Sequence, residues 1–384
     1  MEKLQAWLDE IKDNLPENDY NLVEKCAKML YINIPVGENI PWHPYRCITP
    51  SMAFFDGIWN WDSAFHAIGV MRWDKALAKE QILGFIQYQL PDGMYIDCKK
   101  INGWENRASS KPPVLAWAAS EIYKSDNDVE FVEKVYASLV KNENFWRNTR
   151  FYNGLFHYDA NTNIIPNEEY DVNVRYESGW DDSIRWDKPC VDYWPVDLNC
   201  YTVMMYRGLK IMADALNKPD DAVMWQAMEQ MLCENINKYM WNDTVKAYVD
   251  VNRFTLEPSS VYTPASFMPL YIGIADNVRA EHMNNLAKAK FLPGMPTVAY
   301  DDPEYSQTYW RGNTWLNVAY FAAKALKNYG FSESADTVRD TILNWVRNDG
   351  EFVHENYDST TGQGLYCSTF SWSCVFVIEF ILNF

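Results

Sequence analysis

The residues of this 384-residue chain best equipped for chemistry lie in Glu177-Ser178-Gly179-Trp180-Asp181-Asp182-Ser183-Ile184-Arg185-Trp186. Three carboxylates fall within six positions, flanked by two tryptophans and closed by an arginine. Carboxylates this close cannot all ionise cheaply, so at least one pKa is expected to rise. A carboxyl that stays protonated near neutral pH is what a general acid needs. The tryptophans add flat apolar faces of the kind on which sugar rings stack. The bland alternative for the stretch alone is an acidic surface turn with core tryptophans.

Three further clusters share this character: Trp59-Asn60-Trp61-Asp62, Tyr309-Trp310-Arg311-Gly312-Asn313 and His354-Glu355-Asn356-Tyr357-Asp358. Carboxylates, tryptophans and an arginine fit glycoside hydrolysis. There one acid protonates the leaving oxygen while a second carboxylate activates water or attacks the anomeric carbon. Asp181 or Asp182 supplies the first role. Glu355, in a loop rich in Gly, Asn and Tyr, is the best second candidate, and Glu351 is a weaker one. Asp62, beside Trp61, is placed to accept hydrogen bonds from sugar hydroxyls. Arg311, a planar fork between Trp310 and Trp315, suits donation to hydroxyls or the holding of a carboxylate.

The elements that position these clusters read as helices almost throughout. Apolar spacing predicts helices over 2–14 and 18–31. Asp62, Asp74, Pro112-Pro113 and Asn127-Asp128 open the next four. The stretch 149–195 reads as loop with short strands and holds the opening motif. Helices resume at Asp197, Asp220-Asp221, near Ala265 and Asn277, then from Asn313, Ser332 and Ser368. Paired helices with almost no strand pattern predict an all-α, α/α architecture. No linker or composition shift marks a boundary, so residues 1–384 read as a single domain with 149–195 as an active-site loop insertion. Each of the four clusters lies just before a predicted helix. If the helices run up and down around a ring, the loops entering the inner helices gather at one rim, and one pocket collects all four.

Composition narrows the partners. Aromatic content is 16%, with 17 Trp and 25 Tyr, more than a core requires and in keeping with a concave binding surface. The formal net charge of -18 offers no basic stripe for nucleic acid and argues against anionic membrane surfaces. The N-terminus lacks a basic region followed by an apolar one, so no signal peptide is expected, and no apolar run is long enough to span a bilayer. Eight scattered cysteines with no CxxC pair predict free thiols in a reducing cytoplasm, with no metal and no cofactor.

Trp61-Asp62-Ser63, Lys111-Pro112-Pro113, Glu177-Ser178-Gly179-Trp180-Asp181, Tyr309 through Asn317, Glu355-Asn356-Tyr357-Asp358 and Phe370-Ser371-Trp372 together resemble glycoside hydrolase family 63, and also the related family 37 trehalases. The resemblance runs from about residue 50 to the C-terminus. It implies an (α/α)6 barrel and inverting hydrolysis of an α-linked glucoside or related small glycoside or oligosaccharide. It also implies that Asp181 is the general acid and Glu355 the general base. The substrate-binding set expected around them is Trp59, Trp61, Asp62, Lys111, Trp180, Tyr309, Trp310, Arg311, Trp315 and Gln363. The chain lacks the N-terminal β-sandwich that many members carry, which resembles the compact bacterial hydrolases of mannosylglycerate or glucosylglycerate. It also reads Gly312-Asn313-Thr314 where a Gly-Pro-Val-like run is common.

Two other classes compete. A sugar epimerase or isomerase on the same kind of barrel would move protons with histidines, here His66 or His354. A non-catalytic sugar-binding protein would keep the aromatics alone. The remaining histidines, His43, His157 and His282, have no zinc-site spacing.

Overall fold

Twelve helices alternate between two concentric rings in the computed structural model, which describes residues 1–384. In chain order they are α1 (Glu17–Ile32), α2 (Asn60–Val70), α3 (Lys75–Ile86), α4 (Leu115–Asp126), α5 (Val129–Thr149) and α6 (Val196–Ala215). They continue as α7 (Pro219–Asn235), α8 (Met268–Tyr271), α9 (Asn277–Lys290), α10 (Leu316–Asn328), α11 (Ser332–Asn348) and α12 (Ser371–Leu382). The single turn of α8 extends a 3-10 segment, Pro264–Phe267. The even-numbered helices form the inner ring: α2 packs on α4, α4 on α6, α6 on α8, α8 on α10, α10 on α12, and α12 returns to α2. That closed circuit is the expected (α/α)6 barrel.

The ring a helix joins follows from its residues. Every residue of α2 is buried, and α12 is buried from Ser371 to Phe380; their few polar groups have partners or face the site, as Glu379 has Arg72 and His66 has Ser371. The outer α11 buries Val338, Ile342, Leu343 and Val346 on one face, while Arg339 and Asp340 pair on the other. Asp74 and Asp128 cap α3 and α5 as predicted, accepting from the N–H groups of Leu77 and Phe131. No helix is long and apolar enough to cross a membrane.

Three departures from the predicted elements bear on the site. Asp62 does not cap α2. The helix starts at Asn60, directly out of the strand Gly57–Trp59, so Asp62 sits inside the first turn. The stretch 149–195 contains a hairpin (Phe151–Tyr152 with Leu155–Phe156) and a helix, Tyr170–Ser178, immediately ahead of the Gly-Trp-Asp motif. The helices predicted from Asn313 and Ser368 begin at Leu316 and Ser371. Each therefore leaves a longer non-helical lead-in at the rim.

Candidate active site

A cavity of about 390 Å³ opens at the rim where the inner helices begin. Trp59, Trp61 and Asp62 reach it from the start of α2, and Lys111 from the segment before α4. Gly179 and Asp181 enter ahead of α6, and Tyr309, Trp310 and Trp315 ahead of α10. Glu355, Phe370 and Trp372 enter at the approach to α12. All four clusters thus contribute to one wall, and Pro50 and Phe55 complete it.

Asp181 is delivered by a helix end. Tyr170–Ser178 terminates at Gly179, whose φ of 74° is left-handed and whose N–H returns to the Tyr176 carbonyl at 3.1 Å. A Cβ at Gly179 would lie 2.6 Å from the Trp61 ring, so a side chain is excluded by contact as well as by backbone angle. Ser178 Oγ then accepts from the Trp180 N–H and the Trp186 Nε1–H, both at 3.0 Å, which fixes the turn. Asp181 Oδ1 is shielded from solvent and accepts no hydrogen bond from the protein. Burial pushes the Asp181 carboxyl up to about 6; Lys111 opposes the shift, and Asp97 and Asp182 add to it.

Glu355 is held from the opposite side of the chain. Its backbone N–H donates to the Cys367 carbonyl at 2.8 Å, and its Oε2 accepts from the Cys367 N–H at 3.4 Å. The Tyr309 hydroxyl donates to Glu355 Oε1 at 2.7 Å. Two residues further on, Tyr357 exchanges backbone hydrogen bonds of 2.8 and 3.0 Å with Thr314. That bridge locks the Glu355 loop to the segment carrying Tyr309, Trp310 and Trp315. Burial raises the Glu355 carboxyl to about 7 against the Tyr309 and Cys367 hydrogen bonds, with Asp181 adding to the rise.

A buried charge cluster adjoins Asp181. Lys111 donates to the Tyr176 carbonyl and stands 3.4 Å from Asp97. Burial works against its ammonium, but Asp97, Asp181 and Asp62 together outweigh that and raise its pKa. Burial also raises Asp62 well above the usual carboxylate range, with Lys111 opposing. The aromatic wall is continuous: Trp310 and Trp315 stack at 3.8 Å and 10°, Trp372 meets Trp315 at 5.6 Å, and Trp61 meets Trp372 at 5.1 Å.

Several residues of the opening motif and of the expected substrate-binding set lie outside the cavity. Glu177 is no part of an acid cluster: it is fully buried and accepts from Arg150 twice at 3.0 Å, from Ser110 N–H and from Asp159 N–H. The rise at Asp181 therefore comes first from burial rather than from crowded carboxylates. Arg185 is clamped by Asp197 and Asp250, behind Trp180. Asp182 spends one oxygen on the Trp310 N–H at 2.9 Å, tying two lead-in loops together outside the cavity. Trp180 stacks behind Trp310 at 5.1 Å and does not reach the lining. Arg311 cannot sit between Trp310 and Trp315, which touch each other. It forms two 2.8 Å bonds to Asp187 instead. Gln363 is exposed in the turn after Tyr357.

Phe370 and Trp372 line the cavity, where the sequence offers their motif but no role for it. Phe55 and Asp97 carry no local signal, because they become relevant only through the fold. No histidine lines the cavity. His66 is buried against Ser371 and held down at about 3, and His354 is occupied by Asp349 at 2.6 Å. The histidine chemistry of an epimerase thus has no agent at this site.

Comparison with known proteins agrees in one direction. The family model described as the mannosylglycerate hydrolase MGH1-like glycoside hydrolase domain matches residues 56–373. A mannosylglycerate hydrolase of Thermus thermophilus is 25% identical over 412 residues, spanning 86% of this chain and 95% of that protein. One from Rubrobacter radiotolerans is 28% identical over 223 residues, 56% of this chain and 49% of that protein. Among solved structures, a GH63 mannosylglycerate hydrolase from Thermus thermophilus in complex with glucose superposes with a TM-score of 0.77 at 22% identity, over 92% of this chain and 98% of that one. The neutral trehalase Nth1 from Saccharomyces cerevisiae gives 0.69 at 19% identity, over 88% and 73%. At such identities the structural likeness speaks to the fold.

Proposed function

We propose a mechanism from one premise: the chain belongs to the mannosylglycerate hydrolase MGH1-like family of glycoside hydrolases, within family 63, and is a glycosidase. In this reading it hydrolyses an α-linked glucoside or related small glycoside with inversion, Asp181 acting as general acid and Glu355 as general base. The observation that carries it is the pair of carboxyls on separate loops in one aromatic cavity, both raised toward neutrality by burial.

Catalysis needs one proton on the pair, and needs it on Asp181. The substrate itself sorts them. The attacking water donates a hydrogen bond to Glu355 and favours its ionised form. The glycosidic oxygen has only lone pairs to offer and favours the protonated form of Asp181. Water then attacks the anomeric carbon as its proton passes to Glu355, while the Asp181 proton goes to the departing oxygen. Lys111 stabilises the Asp181 carboxylate that results. Asp62 and Lys111 hold sugar hydroxyls, and Trp61, Trp310 and Trp372 exclude water from the oxocarbenium-like centre.

Asp181→Asn is expected to lower kcat by roughly 10²–10⁴-fold on glycosides with poor leaving groups and far less on glycosyl fluorides, which depart with little acid assistance. Asp182→Asn keeps an acceptor for the Trp310 N–H and is expected to spare both substrates. Reversed phenotypes for the two variants would move the acid role to Asp182.

A further inference from the structure

A cleft of about 710 Å³ continues outward from the cavity, lined by Phe54, Phe55, Tyr309, Glu355, Tyr366 and Cys367. It shares Phe55, Tyr309 and Glu355 with the cavity wall, so anything linked to a sugar inside has a path along it. The path opens beside Glu355, to which the Tyr309 hydroxyl donates at 2.7 Å. At its outer end stand two aromatic rings with little to cover them, Phe54 at 67% and Tyr366 at 56% exposure. Tyr366 holds a φ of 62°, a conformation L side chains rarely adopt. Its hydroxyl accepts from the Tyr309 N–H at 3.3 Å, and its ring meets Tyr309 edge-on at 5.0 Å. Phe55 packs on Trp59 and Phe370, which anchors the loop that displays Phe54.

The charge balance is as telling as the shape. Lys111 is the one cation of the cavity wall, and Asp97, Asp181 and Asp62 already compete for it. Arg311 is closed off by Asp187, and Arg185 by Asp197 and Asp250. The cleft contains no lysine or arginine, and its one carboxyl is Glu355. A leaving group that carries a carboxylate, as glycerate does, would lie beside Glu355 with no cation in the cleft to pair with, a costly placement. A formal net charge of -18 adds long-range repulsion.

We propose that the leaving group of the substrate is an uncharged pyranose that stacks against Phe54 and Tyr366, so that this chain prefers a neutral α-linked disaccharide to a glycerate glycoside. The inference rests on the catalytic reading of Asp181 and Glu355 given above. A ring with apolar C–H faces uses the exposed aromatics, and its hydroxyls need no counter-charge.

The test compares kcat/KM for α-glucosyl and α-mannosyl fluoride, trehalose, kojibiose, nigerose, glucosylglycerate and mannosylglycerate, in wild type and Phe54→Ala. The best disaccharide is expected to exceed both glycerates by tenfold or more. Phe54→Ala is expected to lower kcat/KM on that disaccharide by roughly tenfold more than on the fluoride, through loss of one aromatic face. A glycerate glycoside as best substrate would overturn the inference. So would equal losses on disaccharide and fluoride, which would make the cleft a route for water alone. A protein inert on every fluoride would instead bring down the catalytic reading, and this inference with it.

Discussion

Tyr309→Phe removes one atom, and its consequence can be worked from the structure. The hydroxyl donates to Glu355 Oε1 at 2.7 Å and is one of two hydrogen bonds opposing the rise that burial imposes on this carboxyl. The ring, its contacts with Trp315 and Tyr366, and the backbone φ of 33° stay available to phenylalanine. A hydrogen bond to a charged group is worth about 1.5–3 kcal/mol. Since about 1.4 kcal/mol corresponds to one pKa unit, Glu355 is expected to rise by roughly one to two units from its present value of about 7. The base must be ionised, so the acidic limb of the pH–kcat/KM profile moves up by the same amount. The assay uses a glycosyl fluoride, which asks little of Asp181 and so reports the base. Near pH 6 the variant is expected to be about ten- to a hundredfold slower, with most of the loss recovered above about pH 9. An acidic limb that stays in place, or a loss uniform across pH, would refute the role given to this hydrogen bond.

Two further predictions concern stability. The folded-state pKa of Glu355 is raised from 4.5 to about 7, so its neutral form favours folding below about pH 4.5 and that contribution is lost as pH rises through about 7. Glu355→Gln is therefore expected to be more stable than wild type at pH 8, by on the order of 3 kcal/mol, and nearly equal to it at about pH 4.5. Melting temperatures at the two pH values check this, and a variant less stable at pH 8 would contradict it. Arg185→Ala leaves Asp197 and Asp250 buried and unpaired, at a cost of about 3–5 kcal/mol. Urea unfolding is expected to shift to much lower concentration, whereas full stability with lost turnover would contradict this structural role and give Arg185 a part in catalysis.

The sequence carries the barrel because helical periodicity, Asp caps at Asp74 and Asp128 and apolar runs such as 374–378 in α12 are local signals. It carries the site because each polar–aromatic cluster sits at or just before the start of an inner helix, where the fold brings it to a common rim. It misleads where a residue's partner lies far away in the chain. Glu177 reads as a member of an acidic triplet, yet Arg150 and the N–H groups of Ser110 and Asp159 consume it. Arg185 reads as the close of a catalytic motif, yet Asp197 and Asp250 bury it. Asp97, which loads Lys111, and Phe54, which edges the cleft, have no neighbours in sequence that mark them out. Asp182 differs from Asp181 by one position, and only the backbone path shows that it faces the Trp310 N–H rather than the cavity.

The pairing of Asp181 as acid with Glu355 as base is tested most directly by the anomer released first. A base that activates water needs room for it, with carboxyls about 6.5–9.5 Å apart, against about 5–5.5 Å where the second carboxylate attacks. Proton NMR in the first minutes of hydrolysis, before mutarotation, reads the product of an α-linked substrate such as α-glucosyl fluoride. The β-anomer is expected first, with no glycosyl-enzyme accumulating. The α-anomer first would contradict the account and make Glu355 a nucleophile.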